Sequence, residues 1–402
     1  MKERQSIFSR IAQSCFYLGV VIEVLLVLID KSAYTNPVEG RIFQITFLLF
    51  LVKVCLTRYT GREYAAVFLA CVVGAISYFV TGRNEVIRLV MFIAACKDVD
   101  MKRCLKLVFY MTLTGCMIII LLSVTGIYGA VSLTQEYRLD GVETRYTLGM
   151  GHPNALQCMV WALTTLGLYL YGEKMKWYHY LLTMLVNIFF FLLTDSKTGL
   201  LVTVFTVVIV YMTTEKKHKM VSKLGAAIGI ATTAFSVGIS VVIAGNAYRV
   251  YNYVWNNDRT PFTLFLVKLN SLLTGRIRVL TENDGFEGTI GTWRLFSRPE
   301  NNYYFDLGWV RLFYWYGIIP GCIFVAVIII LMIYCYKKKL YPVLALIASF
   351  ALYSVMEAHA VSVYLARNYV IFIIGQYWVK LISKEKAQEY YLWEILKNRV
   401  RI

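Results

Sequence analysis

IAQSCFYLGVVIEVLLVLI, from Ile11 to Ile29, is an unbroken apolar run with a single charged residue, Glu23. A helix rising 1.5 Å per residue needs about 20 residues to cross about 30 Å of hydrocarbon, so the run has the length of one membrane span. It is longer than the apolar core of a signal peptide and no small-residue cleavage site follows it, which predicts a retained span. Working outward, similar runs recur at 42–57, 64–81, 86–100, 105–127, 153–171, 177–194, 198–214, 221–244, 308–335, 340–358 and 362–381. The expected fold is therefore an all-α polytopic membrane protein, a single integral domain over 1–402 with about twelve transmembrane helices. A long extracytoplasmic loop, residues 245–307, separates the ninth and tenth spans and is the place for a small subdomain.

Composition agrees: 58% of the 402 residues are hydrophobic. The formal net charge of +17 comes from basic clusters in alternate loops, such as Lys102, Arg103 and Lys106, Lys216 and Lys217, Lys337 to Lys339, and Lys384 with Lys386. That alternation predicts cytoplasmic termini by the positive-inside rule and membrane lipids as partners, and no motif asks for a nucleic acid. The nine cysteines are scattered through apolar runs without paired spacing, which suits packing residues better than disulfides or metal ligands.

The unusual polar residues fall on the opposite, outer face. RYTLGMGHPN, Arg145 to Asn154, joins a polar loop to the sixth span. Pro153 suits the first position of that helix, where its missing N–H has no partner to lose, and His152 then lies at the N-cap. The free amides and positive end of the helix dipole attract phosphate and disfavour an imidazolium. Arg145 offers a planar fork for the same phosphate, while Gly149 and Gly151 let the backbone approach a ligand. An interfacial turn anchored in headgroups is the plainer alternative. LLTDSKTGLL, Leu192 to Leu201, is either a tight turn eased by Gly199 or a site in which Lys197 contacts phosphate or positions Asp195.

The outer segment interleaves basic groups, among them Arg249, Arg259, Arg276 and Arg278, with aromatics such as Tyr251, Trp255, Phe262 and Phe265. Such a mixture suits a glycolipid, or simply an aromatic interface, and Pro261 to Leu273 is apolar enough for an amphipathic helix lying on the membrane. Charges inside spans are costly and usually paired, so Glu23 and Arg88 are expected to meet. Glu357 and His359 end the eleventh span on the outer face, and Lys53 is expected to snorkel to the inner one.

In their order, these motifs resemble the O-antigen and capsular repeat-unit polymerases of the Wzy type and the related O-antigen ligases. The resemblance rests on Arg145, Gly149, Gly151, His152, Pro153 and Asn154; on Thr194 to Gly199, with Lys197 where Arg is usual; on Gly275 and Arg276; and on Asp306 ahead of Tyr316 to Ile319. The chain departs at Leu307 and Trp309, where the family tends to have Asn and Tyr. The resemblance implies an enzyme of the bacterial cytoplasmic membrane that moves a glycan from its undecaprenyl diphosphate carrier to the next carrier-linked repeat unit. Donor and acceptor are then lipid-linked oligosaccharides, and a flippase and a chain-length regulator are its partners. The expected diphosphate clamp is Arg145 and Arg276, helped by Arg278 and Lys197. His152 is the base or another phosphate ligand, with His359 its rival for the base role, and Asn154, Asp195 and Asp306 position substrate. Inversion without cofactor or metal is expected. A ligase, or a flippase of lipid-linked oligosaccharides, remains the alternative.

Overall fold

A computed structural model of the chain describes residues 2–138, 141–214, 219–282, 285–383 and 388–392; the expected basic residues Lys216, Lys217, Lys384 and Lys386 lie outside them. The helices are α1 (Lys2–Lys31), α2 (Glu39–Cys55), α3 (Gly61–Thr81), α4 (Glu85–Ala95), α5 (Met101–Val124), α6 (Pro153–Tyr171), α7 (Trp177–Thr194), α8 (Lys197–Thr214) and α9 (Lys219–Trp255). They continue with α10 (Pro261–Leu272), α11 (Arg276–Val279), α12 (Gly308–Tyr316), α13 (Ile318–Lys337), α14 (Tyr341–Tyr353) and α15 (Tyr369–Ile382). The strands are β1 (Tyr59–Thr60), β2 (Ser132–Arg138), β3 (Gly141–Tyr146) and β4 (Glu389–Tyr390).

Each expected span coincides with α-helix over at least part of its length. Among the described residues, eight helices are long and apolar enough to cross a membrane: α1, α3, α5, α6 with the turn after it, α7, α8, α9 and α13. The other four expected spans correspond to shorter helices, α2 with 17 residues, α4 with 11, α14 with 13 and α15 with 14. This is the architecture of a polytopic membrane protein. Exposed Phe68, Phe79, Leu121, Leu182 and Leu192 give α3, α5 and α7 the apolar outer surface that lipid tails require.

The chain forms two compact units. The first comprises 1–30, 34–116 and 363–402. At its centre Phe92 of α4 meets Phe16, Phe50 and Phe372 at ring-centroid separations of 6.0, 5.1 and 4.8 Å. Arg88, one helical turn before Phe92, makes the expected pair with Glu23 at 3.1 Å, both buried. Further bonds hold the pair: Glu23 accepts from the Thr46 hydroxyl at 2.6 Å and the Leu365 N–H at 3.1 Å, and Arg88 donates to the Val363 carbonyl at 3.0 Å, while its Nε makes no hydrogen bond among the described residues. Lys53 does not snorkel. Its ammonium is buried and donates to the Thr57 hydroxyl at 2.8 Å and the Lys97 carbonyl at 2.9 Å, local acceptors that replace water.

The second unit comprises 31–33 and 117–362. Its spine is α9, 37 residues and so about 55 Å long, well beyond a bilayer core. Residues 245–255, expected in the loop, continue this helix. Buried Ser222, Ala226, Gly229, Thr233, Ser236, Ser240, Ile243, Ala247 and Val250 recur every three or four residues and make one mostly small-residue seam, against which α14 and α8 pack. Small side chains allow that close approach where lipid offers no hydrophobic drive to association, and the Thr233, Ser236 and Ser240 hydroxyls donate to carbonyls one turn back.

Two further expectations change here. The run 308–335 is not one span but two helices, because Gly317 takes φ +100°, which other residues strongly disfavour. Arg294 and Leu295 carbonyls accept from Ile318 and Ile319 N–H groups at 2.8 and 2.9 Å, replacing the helical bonds lost at the break. The polar loop before α6 contains a hairpin: β2 and β3 pair antiparallel, placing Leu133 opposite Arg145.

Candidate functional site

The second unit gathers most of the expected site residues around the N-terminus of α6. His152 is the N-cap, Pro153 is the first residue, and the Asn154 N–H donates to His152 Nδ1 at 3.1 Å. A backbone amide can only donate, so Nδ1 holds the lone pair and the neutral ring carries its proton on Nε2. Burial holds the imidazole below its ordinary pKa; Asp306 opposes this, while Arg276, Arg145 and Lys31 reinforce it. His152 thus lies within electrostatic reach of residues from three distant segments.

The hydrogen bond and the depressed pKa predict a pH effect with a definite sign. The unfolded chain binds the His152 proton more readily than the folded one, so stability is complete above the unfolded pKa and falls as pH drops through the folded value. His152→Asn keeps a good N-cap without a titrating ring. Thermal melts from pH 7.5 to 5 are expected to show wild type losing stability relative to the variant; parallel curves would refute the assignment.

Arg145 projects from β3. Its Nε and Nη2 donate to Glu143 Oε2 at 3.0 and 2.6 Å, and Nη2 lies 3.2 Å from Asp195 Oδ2. Alternate residues of a strand share a face, which is why Glu143 reaches Arg145. Asp195 ends α7 in the left-handed region, φ +47°. Lys197 is exposed at the start of α8.

Arg276 opens α11 immediately after Gly275, whose φ of +83° turns the chain. It is buried, and it lies 2.9 Å from Glu357 Oε1 through Nη2 and 3.6 Å from Asp306 Oδ2 through Nε. Gly308 is what brings these carboxylates together: a Cβ there would stand 2.6 Å from the Glu357 carbonyl and 2.8 Å from that of Ser354. Leu307 and Trp309, where the chain departs from the family pattern, are buried packing residues; the Trp309 indole donates to the Ala351 carbonyl at 2.9 Å.

Other expectations shift. Arg278 is turned to the surface in an i,i+4 pair with Glu282 at 3.1 Å. His359 is fully buried among Trp161, Tyr353 and Phe350, with Nε2 3.6 Å from Cys158 Sγ. The motif glycines serve the chain's own packing: a Cβ would stand 2.8 Å from the Ile119 carbonyl at Gly149, 3.2 Å from the Ser32 carbonyl at Gly151, and 2.4 Å from Gln157 Cγ at Gly199. Gly199 lies within α8, not in the turn. Glu143 was not foreseen, although the Asp140-Gly141 dipeptide is a hairpin signal that would have placed it beside Arg145. Among the described residues no three His, Cys, Asp or Glu side chains converge to hold a metal ion.

The arrangement supplies two oriented guanidinium groups, an imidazole N–H and several carboxylates at a helix N-terminus, which is chemistry for a polyanion and a proton. No family model, curated protein or solved structure matches this chain.

Proposed function

We propose that the chain is a membrane glycosyltransferase that polymerises undecaprenyl-diphosphate-linked repeat units on the outer face of the cytoplasmic membrane, with both termini cytoplasmic. The observation that supports this reading is that Arg145 and Arg276 are held by carboxylates from distant segments, Asp195 on the one and Asp306 with Glu357 on the other, in the unit that carries His152 at the N-terminus of α6. The attacking acceptor hydroxyl forms a bond to the anomeric carbon of the donor, the bond from that carbon to the diphosphate breaks, and the hydroxyl proton passes to a carboxylate. Lipid diphosphate is a good leaving group, so the site needs cations and donors aimed at it more than an acid.

Within this reading the geometry favours one set of roles over another. His152, with Nδ1 engaged, serves the diphosphate as an Nε2–H donor rather than as a base. His359, enclosed by aromatic rings, is poorly placed to meet a hydroxyl. Asp306, whose side chain is 37% exposed beside Arg276, is the better proton acceptor. A ligase would use the same groups. The helix break at Gly317 and the buried Glu23–Arg88 pair are features that a flippase would also have, and they keep that second reading in view.

The surface glycans of cells carrying Arg145→Ala, with the protein confirmed at its normal level in the membrane, test the proposal. Loss of long chains with single repeat units exported is the expected result. Normal chain length would remove Arg145 from the site, and repeat units trapped inside would favour the flippase.

A further inference from the structure

Two guanidinium groups face four carboxylates: Glu143 and Asp195 on Arg145, Asp306 and Glu357 on Arg276. Each guanidinium already faces two carboxylates, so an incoming polyanion gains the full attraction of either one only if a carboxylate gives way. The four are not equally held. The Glu357 side chain is only 11% exposed, and its backbone is clamped against Gly308. Asp195 has a short side chain fixed to a left-handed helix end. Asp306 stands 3.6 Å away and leaves the Arg276 fork largely as it is.

Glu143 differs. A single oxygen, Oε2, takes both Nε and Nη2 of Arg145, the edge of the fork that a phosphate oxygen would use. It is 35% exposed, on a hairpin strand, and its side chain has three rotatable bonds, so it can leave by changing rotamer while the backbone stays.

We propose that Glu143 sets the binding threshold of this site: an internal anion that occupies Arg145 until a diphosphate displaces it, and that a monophosphate binds too weakly to displace. The inference rests on the diphosphate reading of the site. An intramolecular carboxylate competes at an effective concentration far above that of any free ligand. A single phosphate that replaces it exchanges one anion for another at the same fork. A diphosphate keeps one phosphate on Arg145 and extends the other to the His152 N–H and the α6 N-terminus, contacts the carboxylate cannot make. The site therefore takes a lipid diphosphate and rejects the lipid monophosphate that remains once the terminal phosphate is lost.

The test uses the full-length protein in detergent, with inorganic pyrophosphate and inorganic orthophosphate as probes and calorimetric titration as the readout, on wild type, Glu143→Gln and Glu143→Ala. Removing a charge-assisted competitor worth about 1.5–3 kcal/mol is expected to tighten binding about ten- to a hundredfold. Both probes displace the same carboxylate, so both gain by a similar factor, and orthophosphate, too weak to compete with Glu143 in wild type, becomes measurable in both variants. Unchanged or weaker binding in Glu143→Gln and Glu143→Ala would overturn the inference. That failure is separable from failure of the polymerase reading, because loss of long chains in Arg145→Ala cells would still stand. A normal glycan profile in those cells would instead remove the premise.

Discussion

On the proposed polymerase function, Arg276→Ala is expected to leave single repeat units in place of long chains, with turnover reduced about 10²–10³-fold, the usual cost of losing one preorganised donor to a developing anion. The same substitution is expected to lower thermal stability, because Glu357 is left nearly buried without its counter-charge. Breaking a buried pair from one side costs about 3–5 kcal/mol, and the partial exposure of Asp306 places the loss toward the lower end. Activity and stability are separable in one further variant. Arg276→Met combined with Glu357→Leu removes both charges, so melting in detergent should return close to the wild-type value while the glycan stays short. Long chains in Arg276→Ala cells with normal membrane levels would remove Arg276 from the site and leave it as a brace between α11, Asp306 and the segment at Glu357.

Arg88→Leu is expected to be the most destabilising single change in the first unit. Glu23 would keep the Thr46 hydroxyl and the Leu365 N–H but lose the only cation paired with it among the described residues, and the Val363 carbonyl would lose a donor. A loss of about 3–5 kcal/mol follows. The double variant Glu23→Leu with Arg88→Met should recover most of it, since apolar groups of similar volume need no solvation. Melting midpoints of the three proteins decide the matter: a stable Arg88→Leu would mean the pair contributes nothing beyond its packing.

The fate of individual residues shows where sequence reading succeeds. His152 sits at the N-cap because Pro153 has no N–H to give and little freedom in φ, facts that belong to two adjacent residues. Glu23 and Arg88 could be matched because a charge in a span has few alternatives to a partner. Lys53 departs from that logic, since backbone and hydroxyl acceptors within its reach are invisible in a hydropathy profile. The helix break at Gly317 is not legible in hydropathy, because one glycine among apolar residues changes it very little while changing φ completely. The hairpin that presents Glu143 carries a shorter signal than GHPN.

By itself, then, the sequence determined the helices and the membrane character of the chain, because the length and polarity of a span are sums over neighbouring residues. It also determined that cationic and imidazole groups would stand next to helix ends. Only the tertiary structure decided which carboxylates those cations face, which glycines serve close packing rather than a ligand, and that His359 lies among aromatic rings. Those outcomes depend on contacts between segments far apart in the chain, such as Arg276 with Glu357 and Arg145 with Asp195, and ion pairing is set by such distances, not by residue type alone.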